Sequence, residues 1–153
     1  MKTIEYRTHD KSEWMRGEWD SEPDKRQWQD EVTGLPCLIV RNNGGSLCGY
    51  VGVTTDHPLH GEDYSSGKAD SIEVHGGLTF ASGCIHVDEP GDGKLDDVWW
   101  FGFDCAHYGD ISPAYDSKAQ ESFIYRSYKS ISYVEAEVSA LAEQLAAMKE
   151  LPK

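Results

Sequence analysis

The sequence predicts a single α+β domain, built mainly on an antiparallel sheet, with an N-terminal helical segment and a long C-terminal amphipathic helix. Three observations favour this class. The 153 residues suffice for one packed domain and are too few for two ordinary ones, so the domain is expected to cover residues 1–153. Short apolar runs separated by glycine-rich turns fill the middle of the chain. A helical repeat of apolar residues occupies its end.

The first predicted element is a helix that opens at Ser21. Ser21 is a good N-cap residue, and Pro23 suits the first turn of a helix, where its missing N–H is not needed. Gly34 and Pro36 are expected to end this helix.

A β-hairpin is predicted next. Two apolar runs, residues 37–40 and 47–53, flank an Asn/Gly cluster at residues 41–45. Residues 54–70 lack periodicity and are rich in turn formers, so they predict a long loop. Loops of this length in compact domains are often functional.

Further strands are predicted from short β-rich runs. Gly76 and Gly77 interrupt the first run, where they permit either a bulge or the close approach of a ligand to the backbone. The last run, VWWFGF, has the bulk of a central strand, and its aromatics favour core packing over a ligand platform. These predicted strands are residues 71–75 continuing through 78–80, residues 84–87, and residues 98–103.

The C-terminal helix is the clearest local signal. Ser132 and Glu135 have the spacing of a capping box. The apolar residues that follow helical spacing, here called the apolar stripe, must pack on something, either the sheet of the same chain or a partner. Because the stripe is long, a homo-oligomer, most simply a dimer, is predicted. The stripe consists of Ile131, Val134, Val138, Leu141, Leu145 and Met148.

Composition excludes several function classes. The formal net charge of −13 repels nucleic acid, and only Lys68 and Lys94 are cationic between Asn42 and Ser117. No apolar window is long enough to span a membrane, and the first residues lack the apolar core of a signal peptide, so a cytoplasmic protein is expected. The four cysteines form no CxxC pair and predict free thiols rather than a disulfide scaffold.

Three polar segments carry most of the histidines: DHPLHG, VHGG and DCAHYGD. Each lies at a predicted strand end or in a loop, and loops at one edge of a sheet commonly form one pocket. The pocket is therefore expected to bind a small ligand through residues of these segments. The predicted ligand-binding residues are His57, His60, His75, Gly76, Gly77, Thr79, Asp104, Cys105, His107 and Asp110.

The motif Asp104-x-x-His107-x-x-Asp110 allows three interpretations. The two carboxylates can orient the imidazole as a general base, which makes these three residues the catalytic candidates. Alternatively, His107, Asp110 and His75 can hold a divalent metal such as Zn or Mn, the one cofactor considered. In the third interpretation, the acids cap turns and His107 bonds a backbone carbonyl.

Two neighbouring features are less specific. Cys105 lies two residues from His107, so it is either a nucleophile beside its base or a buried thiol, and no cysteine-hydrolase signature surrounds it. The glycine pair after His75 either offers N–H groups to a phosphate or forms a bulge.

The motifs LCGYVGV, HPLHG, VHGGLTF and WWFGFDCAH, within residues 47–110, resemble those of a group of small proteins from tailed phages and prophages. The group has no established activity to transfer. The resemblance implies a viral origin and an accessory, host-directed role. The chain also looks like the small acidic phage proteins that disarm bacterial immunity by trapping or destroying a nucleotide second messenger.

Three functions follow as hypotheses. The first is an anti-defence protein in the host cytoplasm that sequesters a nucleotide-derived immune signal in a pocket built from the central loops. The second is a metal- or His-dependent hydrolase that degrades such a signal. The third is an acidic inhibitor that occupies a basic surface of a host protein.

Overall fold

The computed structural model describes residues 3–83, 97–119 and 126–148, which form an α+β fold. Two helices, α1 (Pro113–Ala119) and α2 (Ile131–Met148), accompany one antiparallel sheet. Neither is long and apolar enough to cross a bilayer, and that holds for every helix in these ranges. The sheet has the order β1-β2-β3-β4-β6-β5, with β1 (Ile4–Tyr6), β2 (Lys25–Gln29), β3 (Pro36–Arg41), β4 (Leu47–Val53), β5 (Phe80–Ser82) and β6 (Trp99–Asp104).

The centre of the sheet confirms two predictions. Strands β3 and β4 form the predicted hairpin, closed by a turn in which the N–H of Gly45 donates to the carbonyl of Asn42 at 3.0 Å. The aromatic run forms β6, which pairs with β4 on one side and β5 on the other. Phe101 and Phe103 of this run are fully buried, as core residues of a central strand should be.

Helix α2 covers one face of the sheet with its apolar stripe. Val134, Val138, Leu141 and Leu145 are all fully buried. The contact is close, because a Cβ atom on Gly49 of β4 would lie 2.6 Å from Val138 Cγ2. Packing within the chain therefore occupies the stripe, and the reasoning from this stripe to a dimer loses its basis. The dimer itself stays a prediction.

The predicted helix from Ser21 is wrong. Only a single 3-10 turn, Glu18–Ser21, is helical in this region, and the following residues form β2. Pairing with β3 decides the outcome: Trp28 lies opposite Cys37 and packs against the core, and Arg26 reaches Glu135 of α2 at 3.0 Å. Long-range pairing of this kind overrides a local capping signal.

The strand predicted at residues 71–75 is also wrong, and of its predicted continuation at residues 78–80 only Phe80 belongs to a strand, β5. The segment 71–75 is a loop along α2, where the backbone N–H of Glu73 donates to Gln144 and that of His75 to Glu137. Gly76 and Gly77, with φ of +70° and +81°, then turn the chain away. The backbone is thus hydrogen-bonded to helix side chains instead of a neighbouring strand. The strand predicted at residues 84–87 lies outside the described residues.

Helix α2 begins two residues earlier than its capping pattern predicted, which placed the N-cap at Ser132. Its first residue is Ile131, so Ser132 lies inside the helix and the predicted capping box is not formed. The backbone N–H of Ile131 donates to Glu22 Oε2 at 2.8 Å, and that of Tyr133 donates to Ser130 Oγ at 3.3 Å. A distant carboxylate and the preceding serine cap the helix instead. Helix α1 was not predicted.

A buried ion network joins the N-terminal segment to the start of α2. Arg41 has a fully buried side chain, with Nε 2.8 Å from Asp24 Oδ1 and Nη2 3.3 Å from Glu22 Oε1. Its Nη1 donates to the Tyr128 hydroxyl at 2.8 Å. Removing one partner from such a network leaves an unpaired buried charge, which is strongly destabilising.

The carboxylate of Asp24 is held ionised by this network. Burial alone raises the pKa of Asp24, but hydrogen bonds from Lys11, the backbone of His9, Arg41 and the backbone of Thr8 outweigh that effect. Together they lower the pKa from its ordinary value of 3.8 to about 2. The network is therefore intact at neutral pH.

Candidate metal centre

Three side chains predicted as metal ligands meet beside the first turns of α2. His107 and Asp110 lie in the loop after β6, and His75 lies in the loop before β5. His75 Nε2 is 2.8 Å from Asp110 Oδ2, and His107 Nδ1 is 3.5 Å from the same oxygen. The centroids of the two imidazole rings are 5.7 Å apart. One carboxylate oxygen thus faces both imidazoles.

Asp110 is the buried centre of this group, with a side chain that is 2% exposed. Its Oδ2 accepts the backbone N–H of His107 at 3.1 Å, and its Oδ1 lies 3.0 Å from Lys129 Nζ. Burial raises the pKa of Asp110, but hydrogen bonds from His75, the His107 backbone and Lys129 outweigh it, so the pKa lies below its ordinary value. Asp110 therefore stays ionised, as a carboxylate ligand must.

His75 is held from both sides of its ring. Its Nδ1 is 2.8 Å from the Tyr133 hydroxyl, and the two rings meet edge to face at 5.4 Å. Since α2 engages Nδ1, Nε2 is the nitrogen that points to Asp110 and can exchange that contact for a metal ion. A hydrogen-bonding partner on the second ring nitrogen is typical of metal-bound histidines, where it fixes the tautomer and the orientation.

His107 Nδ1 is buried and has no hydrogen-bond partner among the described residues. The nearest carboxylate oxygens, of Asp110 at 3.5 Å and Asp104 at 3.7 Å, are too distant for a hydrogen bond. Gly76 packs closely against this ring, because a Cβ there would lie 2.2 Å from His107 Cε1. A buried nitrogen without a partner costs free energy, and a bound metal ion would satisfy it.

His75, His107 and Asp110 can therefore hold a metal ion, since each offers one ligand atom and these atoms lie within 4.8 Å of one another. In a tetrahedral zinc site with bonds near 2.0–2.1 Å, ligand atoms are about 3.3 Å apart. The separations of 2.8 and 3.5 Å bracket that spacing. Two imidazoles and one carboxylate suit Zn²⁺ and also Mn²⁺, and three protein ligands leave a coordination position open.

Sequence reasoning missed Lys129 and Tyr133, which hold Asp110 and His75 in place. Lys129 lies in the segment that leads into α2 and Tyr133 in the first turn of that helix, and both are far along the chain from His75. Tyr133 is partly exposed and lies off the apolar stripe, so no local pattern distinguished it from an ordinary surface residue.

The structure does not bring His57 or His60 to this group. His57 is buried, and its Nε2 lies 2.6 Å from the carbonyl of Leu145, about 18 Å along the axis of α2 from Tyr133. His60 bonds the carbonyl of Asp97 at the opposite end of β6 from Asp104. His57 thus bonds the carboxyl end of the helix. This structural role differs from the predicted role of His57 in a single ligand pocket.

Cys105 is part of the hydrophobic core instead of the pocket. Burial raises the pKa of its thiol far above the ordinary value, with further contributions from Asp110, Cys48 and Asp104. The reactive form of cysteine is the thiolate, so the nucleophile hypothesis is not supported. Cys37 and Cys48 are likewise free and buried, as predicted for thiols in this chain.

The remaining predicted residues lie around the metal group. Asp104 ends β6, and its Oδ2 accepts the hydroxyl of Thr79 at 3.2 Å. Asp104 and Thr79 also line a groove of about 440 Å³ beside the group. Gly76 touches the His107 ring, whereas a Cβ on Gly77 would meet no atom within 4 Å.

Comparison with known proteins found no family model, no curated protein and no solved structure that matches this chain. Function must therefore be argued from the geometry of the site. The phage group named above stays a prediction.

Proposed function

We propose that the protein binds a divalent metal ion of the Zn²⁺ class through His75, His107 and Asp110, and through that ion sequesters a small phosphorylated, nucleotide-like ligand. The observation that carries this proposal is the buried, unpartnered His107 Nδ1 facing the same carboxylate oxygen as His75 Nε2. No hydrogen bond explains the position of that nitrogen, and the carboxylates of Asp110 and Asp104, at 3.5 and 3.7 Å, form ion pairs with it only when the ring is protonated.

Charge supports an anionic ligand at this point. The chain is strongly acidic, so binding a phosphate requires a local positive charge. Two neutral imidazoles and one carboxylate leave a divalent ion with net positive charge, and Lys129 beside Asp110 adds to it. The open coordination position is where a phosphate oxygen would bind.

Binding without turnover is the function that the surrounding contacts favour. Tyr133 engages His75 and Lys129 engages Asp110, so these groups are occupied in holding the ligand set. Together with the resemblance to phage proteins, the proposal assigns the protein an anti-defence role in the host cytoplasm. The sequestered molecule would then be a nucleotide-derived immune signal.

Metal-dependent hydrolysis is the second candidate. It is favoured by the three-ligand set itself, because an open position on zinc can activate a water molecule. The two functions differ in the fate of the ligand.

The test uses Zn²⁺ and adenosine 5′-monophosphate as probes with the wild-type protein, His107→Ala and the matched control His60→Ala. Wild type and His60→Ala are expected to bind one Zn²⁺ per chain and to bind the nucleotide only when metal is present. His107→Ala is expected to lose both. Mass spectrometry of the ligand released by heat should show it intact; a cleaved product would support the hydrolase instead. Equal Zn²⁺ binding by His107→Ala and wild type would contradict the proposed centre.

A further inference from the structure

A groove of about 440 Å³ lies on the sheet face opposite α2, next to the metal group. Gly49 faces α2, so its neighbours Cys48 and Tyr50 point to the other face, as does Asp104, which pairs with Cys48. The groove is within the size range of small-molecule sites. Its lining includes Asn42, Cys48, Tyr50, Thr79, Phe80 and Asp104.

Two aromatic side chains form one wall of this groove. The rings of Tyr50 and Phe80 meet edge to face, with centroids 5.2 Å apart. They meet above Gly102, where a Cβ would lie 2.4 Å from Tyr50 Cδ1. The missing side chain lets Tyr50 settle against the strand, where its ring lies at 83° to that of Phe80, so the wall offers the face of one ring for stacking and the edge of the other for packing.

The charge of the groove selects against a phosphate. Among the described residues that line it, Asp104 is charged and none is a lysine or arginine. Asp104 is fixed in orientation, because Oδ2 accepts the Thr79 hydroxyl and Oδ1 accepts the backbone N–H of Ala106 at 3.1 Å. Each oxygen retains accepting capacity for a further N–H donor. The groove therefore suits an uncharged aromatic ring that presents N–H groups.

One residue, Asp104, connects the groove with the metal group. Asp104 lines the groove, and its Oδ1 lies 3.7 Å from His107 Nδ1. A ligand with a phosphate at the metal would thus lie beside Asp104, at the edge of the groove. We propose that the groove is the subsite for a purine base with an exocyclic amino group, which packs against the aromatic wall of Tyr50 and Phe80 and donates to Asp104. The position of the phosphate in this inference rests on the proposed function, whereas the base subsite in the groove does not depend on it.

Three probes separate the two ends of the site. Guanosine, which has no phosphate, tests the groove in metal-free protein. Ribose 5-phosphate with Zn²⁺ tests the metal end, and guanosine 5′-monophosphate with Zn²⁺ tests both. Binding is measured by calorimetry and, for weak binding of guanosine, by ligand-observed NMR.

We expect guanosine 5′-monophosphate to bind wild type at least about 10-fold more tightly than ribose 5-phosphate. Phe80→Ala should weaken nucleotide binding about 5- to 150-fold, the range of a lost stacking contact, and leave ribose 5-phosphate binding unchanged. Asp104→Asn, which keeps the shape and removes the charge, should weaken guanosine binding about 10-fold or more. Tyr64→Ala is the control, since Tyr64 is an exposed aromatic outside the groove.

Thermal unfolding checks that each variant is folded. If Phe80→Ala is not folded, Asp104→Asn alone tests the groove. Failure of guanosine to bind, or unchanged affinity in the folded groove variants, overturns the base subsite, while binding of ribose 5-phosphate with Zn²⁺ still supports the proposed function. Binding of guanosine without metal-dependent binding of ribose 5-phosphate supports the groove and overturns the proposed function. Binding of neither probe overturns both.

Discussion

A single methyl group added at Gly76 should damage the metal centre without removing any ligand. A Cβ at this position would lie 2.2 Å from Cε1, 2.5 Å from Nε2 and 2.7 Å from Nδ1 of His107. The obstacle is the end of a side chain, which moves more easily than backbone. In Gly76→Ala the ring of His107 is therefore expected to rotate away from Asp110.

Gly77 supplies the matched control. Gly76 and Gly77 both have positive φ, +70° and +81°, so alanine at either position carries a backbone cost of about 1–2 kcal/mol. A Cβ on Gly77, however, meets no atom within 4 Å. Both variants should lose a similar amount of stability. Only Gly76→Ala should lose Zn²⁺ affinity, by about 10- to 100-fold or more, the loss seen when the orientation of a metal ligand is disturbed.

Urea unfolding measures the stability of both variants, and calorimetric titration with Zn²⁺ measures their affinity. Equal Zn²⁺ affinity in Gly76→Ala and Gly77→Ala would refute the role assigned to His107. A much larger loss of stability in Gly76→Ala than in Gly77→Ala would refute the inference that its ring can move.

The remaining predictions concern the scaffold. Arg41→Met should cost about 3–5 kcal/mol in urea unfolding because it removes the buried guanidinium that pairs with two buried carboxylates. Arg16→Met, at a pair whose arginine is 67% exposed, should cost less than about 1 kcal/mol. Equal losses would contradict the buried network. The depressed pKa of Asp24 contributes about 2 kcal/mol to the free energy of unfolding above pH 4, and this contribution is lost as the pH falls toward 2. Asp24→Asn should therefore make the free energy of unfolding nearly independent of pH between 4 and 2. A variant with the same pH profile as wild type would contradict the role assigned to Asp24. Leu141→Glu should abolish the fold, seen as lost circular dichroism, since Leu141 packs within the chain. A variant that is folded and monomeric, beside an oligomeric wild type, would show instead that the residue lies at a subunit interface.

The parts of the fold that local signals specify were predicted correctly. The hairpin joins neighbouring apolar runs through an Asn/Gly turn, and the apolar stripe repeats every three or four residues. Both elements are therefore determined by residues close together in the sequence. Strand β2 does not. Its sequence, KRQWQ, is mostly polar, and it is a strand because β3 offers a hydrogen-bonding edge and Trp28 finds the core. These long-range contacts are not visible in the sequence of β2 itself.

The candidate site divides in the same way. His107 and Asp110 were grouped correctly because one short loop carries both. His75 joins them because the segment before β5 runs along α2, with its backbone bonded to Glu137, a contact that no spacing reveals. His57 was assigned to the same pocket because it lies in a polar loop, on the expectation that the loops meet at one edge of the sheet. Its loop instead meets the far end of α2, where the Leu145 carbonyl needs a donor.

X-ray absorption spectroscopy of the protein loaded with one equivalent of Zn²⁺ tests the proposed centre most directly, because it reports the type and distance of the ligand atoms. Two imidazole nitrogens and one carboxylate oxygen, at about 2.0–2.2 Å, are predicted. His107→Ala is expected to lose Zn²⁺ binding and with it this spectrum, and His60→Ala should change nothing. A sulfur ligand at about 2.3 Å, or the spectrum of a hydrated ion without imidazole, would contradict a centre built from His75, His107 and Asp110.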